Sequence, residues 1–290
     1  VLETADGNYI AVGYNFSNGN GNSDIYVVKL NVLGDVLWEN TYGGSSNDFG
    51  KDVIEINGNY LVAGMTESFG EGAEDGYVLK IDDSGDLLWS KSYGGVTFDG
   101  IHSIIETENG GLAMTGYTES FGAGFADYLL IRTDSLGQLN WSMVYGGESF
   151  DYGEDMLEAA DKGFVLVGNT NSLSTGSREM LVIKTDSLGN SNCNTEAISL
   201  VASNAATVVT PSNSLVSRAA GLSIPKLGLS IEEINLIDAC DSTLSVEQHE
   251  KNLQLYPNPT NDNISITIDI SDGEQVITNL IDMTGRMLFE

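Results

Sequence analysis

Acidic side chains recur at fixed intervals and are the first groups in this sequence with chemistry to offer. Asp24, Asp75, Asp127 and Glu179 are spaced by 51, 52 and 52 residues, and a second set follows at Asp48, Asp99 and Asp151. Carboxylates arranged by repetition could ring an axis and hold calcium through oxygen ligands. The competing reading is that each caps a turn by accepting backbone N–H groups, as aspartate often does. Catalysis would need residues that break the repetition, and His102, Arg178 and Cys193 do so. No nucleophile–base spacing accompanies them. His102 falls on an expected strand, where a satisfied structural histidine is the preferred reading over a general base. Acids are too numerous for any pair to single itself out for glycosidase chemistry.

The elements that must position these groups follow from the repeat itself. Gly13, Gly64, Gly116 and Gly168 keep the same spacing, as do Lys29, Lys80, Arg132 and Lys184. Trp38, Trp89 and Trp141 mark three copies, each followed by Tyr-Gly-Gly at 42–44, 93–95 and 145–147; the fourth holds Cys193 at the tryptophan position. Each unit contains four short β-branched or aromatic segments. In the second these are 52–56, 60–66, 77–81 and 87–93, separated by Gly/Asn/Asp/Ser turns. Trp38 and Tyr42 lie four apart on a strand and share a face, so they are expected to fill the wedge between neighbouring sheets. No helical periodicity is sustained, and Gly-x-Gly without a following helix does not support a nucleotide site.

Four antiparallel strands in about fifty residues is the size of a propeller blade. The expected fold is therefore all-β: a β-propeller of four-stranded blades over residues 1–192, with four repeats visible. Further blades are expected upstream, since the chain opens at Val1 partway through a strand. The unit resembles kelch repeats in length and in its diglycine, although here tryptophan precedes Gly-Gly. It is more similar to the glycine-rich β-propeller repeats of secreted bacterial proteins, a resemblance that covers about residues 1–192. That likeness implies a fold and says little about activity.

Residues 193–250 shift to Ser, Thr, Ala and Val and read as an extended connector or a small β-rich insert. Cys193 and Cys240 bracket this stretch. In an oxidising compartment they would form a disulfide worth roughly 4 kcal/mol; the alternative is two unpaired thiols. With only His102 and His249 as partners, a zinc site is not expected.

The last forty residues read as the opening of a small β-sandwich, with an alternating strand at 264–268. Tyr256-Pro257-Asn258-Pro259 and the Asp282-x-x-Gly285-Arg286 pattern resemble the type A C-terminal sorting domain of the type IX secretion system of Bacteroidetes. Residues 251–290 would be about half of such a domain. The resemblance implies the type IX machinery as partner, translocation across the outer membrane, removal of the domain, and a protein that is released or held at the outer cell surface. Asp134-Ser135-Leu136 and Asp186-Ser187-Leu188 resemble the O-glycosylation pattern of such exported proteins, and also suit tight turns.

Charge narrows the partners. With 42 acidic and 12 basic side chains the net charge is −30, which argues against nucleic acid and anionic membrane surfaces. No apolar run reaches the length of a membrane helix, and no cofactor other than calcium is suggested. Binding or adhesion toward a glycan or protein ligand is the leading expectation. The alternative is an extracellular hydrolase or lyase acting on polysaccharide or peptide, with its site in the channel or in an upstream part; a third reading is a structural spacer.

Overall fold

The computed structural model describes residues 1–173, 178–191 and 195–212, together with the strand backbones 253–257, 264–268, 280–281 and 287–289. It divides into two units, Val1–Ala219 and Ala220–Glu290. Among the described residues every regular element is a strand, and no helix is long and apolar enough to cross a membrane.

The first unit holds four antiparallel sheets in chain order. Sheet 1 has β1 (Leu2–Glu3), β2 (Tyr9–Asn15), β3 (Asp24–Leu30) and β4 (Val36–Gly43). Sheet 2 has β5 (Asp48–Ile56), β6 (Asn59–Thr66), β7 (Asp75–Ile81) and β8 (Leu87–Gly94). Sheet 3 has β9 (Asp99–Glu106), β10 (Leu112–Thr118), β11 (Asp127–Thr133) and β12 (Leu139–Tyr145). Sheet 4 has three strands, β13 (Asp151–Glu158), β14 (Phe164–Thr170) and β15 (Glu179–Lys184). The segments expected from the second repeat correspond to β5–β8. The first of them begins four residues earlier, at Asp48, because that carboxylate anchors the incoming linker.

Both faces of sheets 2 and 3 are apolar, and the sheets pack face to face through three cores. Ile10, Val27 and Tyr42 of sheet 1 meet Tyr60, Val62 and Leu79 of sheet 2. Ala63, Val78 and Tyr93 of sheet 2 meet Ile104, Met114 and Leu129 of sheet 3. Ala113, Tyr128 and Leu130 of sheet 3 meet Met156, Phe164 and Leu166 of sheet 4. The tyrosines of Tyr-Gly-Gly are buried in these seams, with the tryptophans packed beside them. On the far face of sheet 4, Leu157, Met180 and Val182 are exposed. Their repeat equivalents Ile105, Tyr128 and Leu130 are covered by sheet 4. No closed ring of sheets is seen among the described residues.

After sheet 4 the chain runs back along the stack. β16 (Thr195–Ile198) pairs with β12, β17 (Val201–Asn204) with β8, and β18 (Val208–Pro211) with β4. Part of the Ser/Thr/Ala-rich stretch thus supplies a fifth strand to sheets 3, 2 and 1 in turn. Leu200 enters the core between sheets 2 and 3, and Ala205 that between sheets 1 and 2. Covering the outer edges in this way removes three rows of unpaired backbone groups. Cys193 and Cys240 lie outside the described residues.

In the second unit β19 (Leu253–Pro257) pairs antiparallel with β20 (Ile264–Ile268), and β21 (Leu280–Ile281) with β22 (Met287–Phe289). Tyr256 and Pro257 stand on β19; Asn258, Pro259, Asp282, Gly285 and Arg286 lie outside the described residues.

Candidate functional site

The two recurring acid sets come together at one end of the sheets. Asp99 opens β9 and accepts the Gly95 N–H at 2.7 Å and the Ser120 hydroxyl at 2.6 Å. Asp48 and Asp151 make the same bonds to Gly44 and Ser68, and to Gly147 and Ser172. Asp24, Asp75 and Asp127 open the third strands and accept N–H groups of Gly21, Gly72 and Gly124 at 3.1–3.2 Å. All six are buried. Glu179, the fourth member of the first set, opens β15 in a half-buried position.

Each pair closes on a glycine between them. A Cβ on Gly94 would stand 1.8 Å from Asp75 Oδ1 and 3.0 Å from Asp99 Oδ2, so only glycine admits both carboxylates. Burial, with Asp99 adding to it against the Gly72 N–H, pushes the Asp75 carboxyl up to about 6. Asp127 is likewise raised to about 6 by burial and, less strongly, by Asp151. The visible role of these acids is to clasp the linker from one sheet to the next. Among the described residues no group of three or more His, Cys, Asp or Glu is arranged to hold a metal ion.

The first strands of successive sheets are stitched together by side chains. Ser103 on β9 donates to Asp155 on β13 at 2.9 Å, and the Ile104 N–H to Asp52 on β5 at 3.0 Å. His102 Nδ1 lies 2.9 Å from the Gly153 carbonyl oxygen and 3.1 Å from Glu154 Oε2, with its ring 5.5 Å from that of Tyr117. Burial lowers its pKa, against the pull of Glu154. Its Nδ1 is occupied by the β13 backbone, as a structural histidine's would be.

Sequence reasoning passed over an aromatic row at the clasp end. Phe125 and Phe150 are 65% and 39% exposed and stack at 5.1 Å with a 19° interplanar angle. Phe150 stacks on Tyr152 at 6.3 Å and 4°, and the Arg178 guanidinium lies 5.1 Å over the Tyr152 ring. The available signal was a phenylalanine directly before the clasp aspartate in the third and fourth repeats, at Phe98 and Phe150. The Asp-Ser-Leu triplets sit in turns whose first aspartate accepts two backbone N–H groups at 2.8 Å, at Asp134 and at Asp186.

Fold and tail together define an all-β repeat protein carrying an export segment. The family model of the secretion system C-terminal sorting domain matches residues 254–290, which include Tyr256–Pro257 and Arg286. A search of curated proteins finds no match to the chain. The sorting domain is that of the type IX secretion system, so the chain is exported by that machinery and is either attached at the outer cell surface or secreted.

Proposed function

We propose that the four sheets are consecutive blades of a β-propeller, and that the chain is a surface binding or adhesion module for an extracellular glycan or protein. Four features support the blade reading: the antiparallel meanders, face-to-face seams, cross-linked first strands and covered outer edges. Within the tail, Tyr256-Pro257-Asn258-Pro259 and Asp282, Gly285 and Arg286 are assigned as the elements read by the export machinery. Calcium bound at Asp24, Asp75, Asp127 or Glu179 would be an addition to the clasp role.

The observation that carries the binding reading is the row of exposed Phe125 and Phe150 continued by half-buried Tyr152. Stacked rings held at a surface are pre-ordered, so docking on them releases hydration water at little cost in side-chain entropy. Arg178 beside them adds a donor fork. Incubating the full chain and its Phe125→Ala/Phe150→Ala variant with glycan and protein arrays tests this. Retention by the parent that falls at least tenfold in the variant supports it; retention unaffected by the variant, or none on any array, overturns it.

A further inference from the structure

At the end of the sheets opposite the aromatic row, the repeat's basic residue enters the seam between sheets 1 and 2 and that between sheets 3 and 4. Between sheets 1 and 2 that residue is Lys29, which is ion-paired to Asp6 at 3.0 Å and to Asp83. Tyr60 adds its hydroxyl to Asp83 at 3.0 Å. Two carboxylates and a phenol fill that seam.

Between sheets 3 and 4 the base, both carboxylates and the phenol are all exchanged. Arg132 stands for Lys29, Asn109 for Asp6, Ser187 for Asp83 and Phe164 for Tyr60. The turn bonds confirm the equivalence: the residue after Asn109 donates to Thr107 as Gly7 does to Thr4, and Gly189 to Asp186 as Gly85 does to Asp82. The result is a cleft of about 400 Å³, within the range of small-ligand sites. Arg132 is only 7% exposed, and its bonds go to the Leu112 and Thr133 carbonyls, Thr107 and Asn109. It is a buried cation whose two repeat partners have lost their charge, leaving Glu158 as the carboxylate that acts on it across the cleft, an arrangement with room for a further anionic group.

A second departure points into the same cleft. Lys162 has φ 66°, at the turn position where Gly7 and Gly110 have φ 79°. A non-glycine residue there is strained, and it brings an ammonium to the cleft, against Glu108. Glu108 and Glu158 also line the space; one Glu158 oxygen accepts the Glu108 N–H at 2.7 Å, as Glu55 accepts that of Ala5, which leaves its other oxygen for a ligand. They would repel a compact dianion such as sulfate, but they accept hydrogen bonds from hydroxyl groups. Positive groups for one carboxylate, beside acceptors for several hydroxyls, describe a sugar acid.

We propose that this cleft binds a single uronate residue, its carboxylate facing Lys162 and Arg132 and its hydroxyls facing Glu108 and Glu158. The site is separate from the aromatic row, so the two readings stand or fall independently.

The test is calorimetric titration of the full chain with galacturonate, glucuronate, galactose and sulfate. The expected result is saturable binding of at least one uronate, with galactose and sulfate at least tenfold weaker. Ser187→Asp returns the carboxylate of the first seam and is expected to cut uronate affinity at least tenfold while the melting temperature holds or rises. No saturable uronate binding, equal binding of sulfate, or a folded Ser187→Asp variant that binds like the parent would each overturn the proposal. Array retention that depends on Phe125 and Phe150, without any uronate response, would refute the cleft and leave the aromatic row standing.

Discussion

The Tyr93 hydroxyl, at the end of sheet 2, donates to the Gly137 carbonyl in the turn before the last strand of sheet 3, at 2.7 Å. Tyr42 reaches Gly85 and Tyr145 reaches Gly189 in the same way, both at 2.6 Å. The tyrosine of Tyr-Gly-Gly is thus a bolt from each sheet to the next. It is apolar along its ring and satisfied at its tip. Tyr93→Phe leaves a buried carbonyl without its donor and is expected to cost about 1–3 kcal/mol. Chemical denaturation monitored by tryptophan fluorescence checks this, and an unchanged midpoint would count against the bolt.

Glycine at the clasp is a steric requirement. Gly94→Ala would place a methyl against Asp75 and is expected to prevent folding or lower the melting temperature severely. Gly34→Ala is the control: it has positive φ but open space around it, so a loss of only about 1–2 kcal/mol is expected. Similar losses for the two variants would refute the clasp.

The buried carboxylates make stability depend on pH. Asp75 and Asp127 have folded pKa values raised to about 6, so between the unfolded value and 6 the folded chain binds more protons. Their contribution is fully present below the unfolded pKa and is lost as pH rises through 6. Asp82, held below the ordinary range chiefly by the Asp86 N–H, acts oppositely and loses its contribution in stronger acid. His102, lowered by burial, opposes them in the same window, but two raised carboxylates outweigh one imidazole, so the melting temperature is expected to be higher near about pH 5 than near about pH 8. Asp75→Asn/Asp127→Asn should flatten that slope, as scanning calorimetry across the range would show.

The returning strap contributes through Leu200. Leu200→Ala removes a side chain buried between sheets 2 and 3 and is expected to cost about 2–5 kcal/mol. It should also speed amide exchange in β8 and β12, the edges that the strap covers. Exchange unchanged in those strands would mean that the strap does not hold the stack.

The spacing of glycines, lysines and aromatics made the strands legible, because a repeated two-faced sheet must repeat its apolar pattern. The strap was not legible. Four-residue strands such as Val201–Asn204 show too little alternation to mark a face, and their partners are chosen by sheet edges far off in the sequence. The acids were visible as recurring carboxylates, but their clasp role depends on Gly94 and Ser120 arriving from other strands. The cleft escaped notice because its signal is what Asn109 and Ser187 lack beside their repeat equivalents. Lys162 showed itself only through its backbone angle.

The most direct measurement is where the chain resides in a cell that has a type IX system. Surface labelling and fractionation should find the product of the undeleted chain outside the outer membrane, with deletion of 254–290 leaving it in the periplasm. Equal export of both forms would contradict the assignment of 254–290 as the export signal, and retention of the undeleted chain inside the outer membrane would contradict the placing of this protein outside the cell.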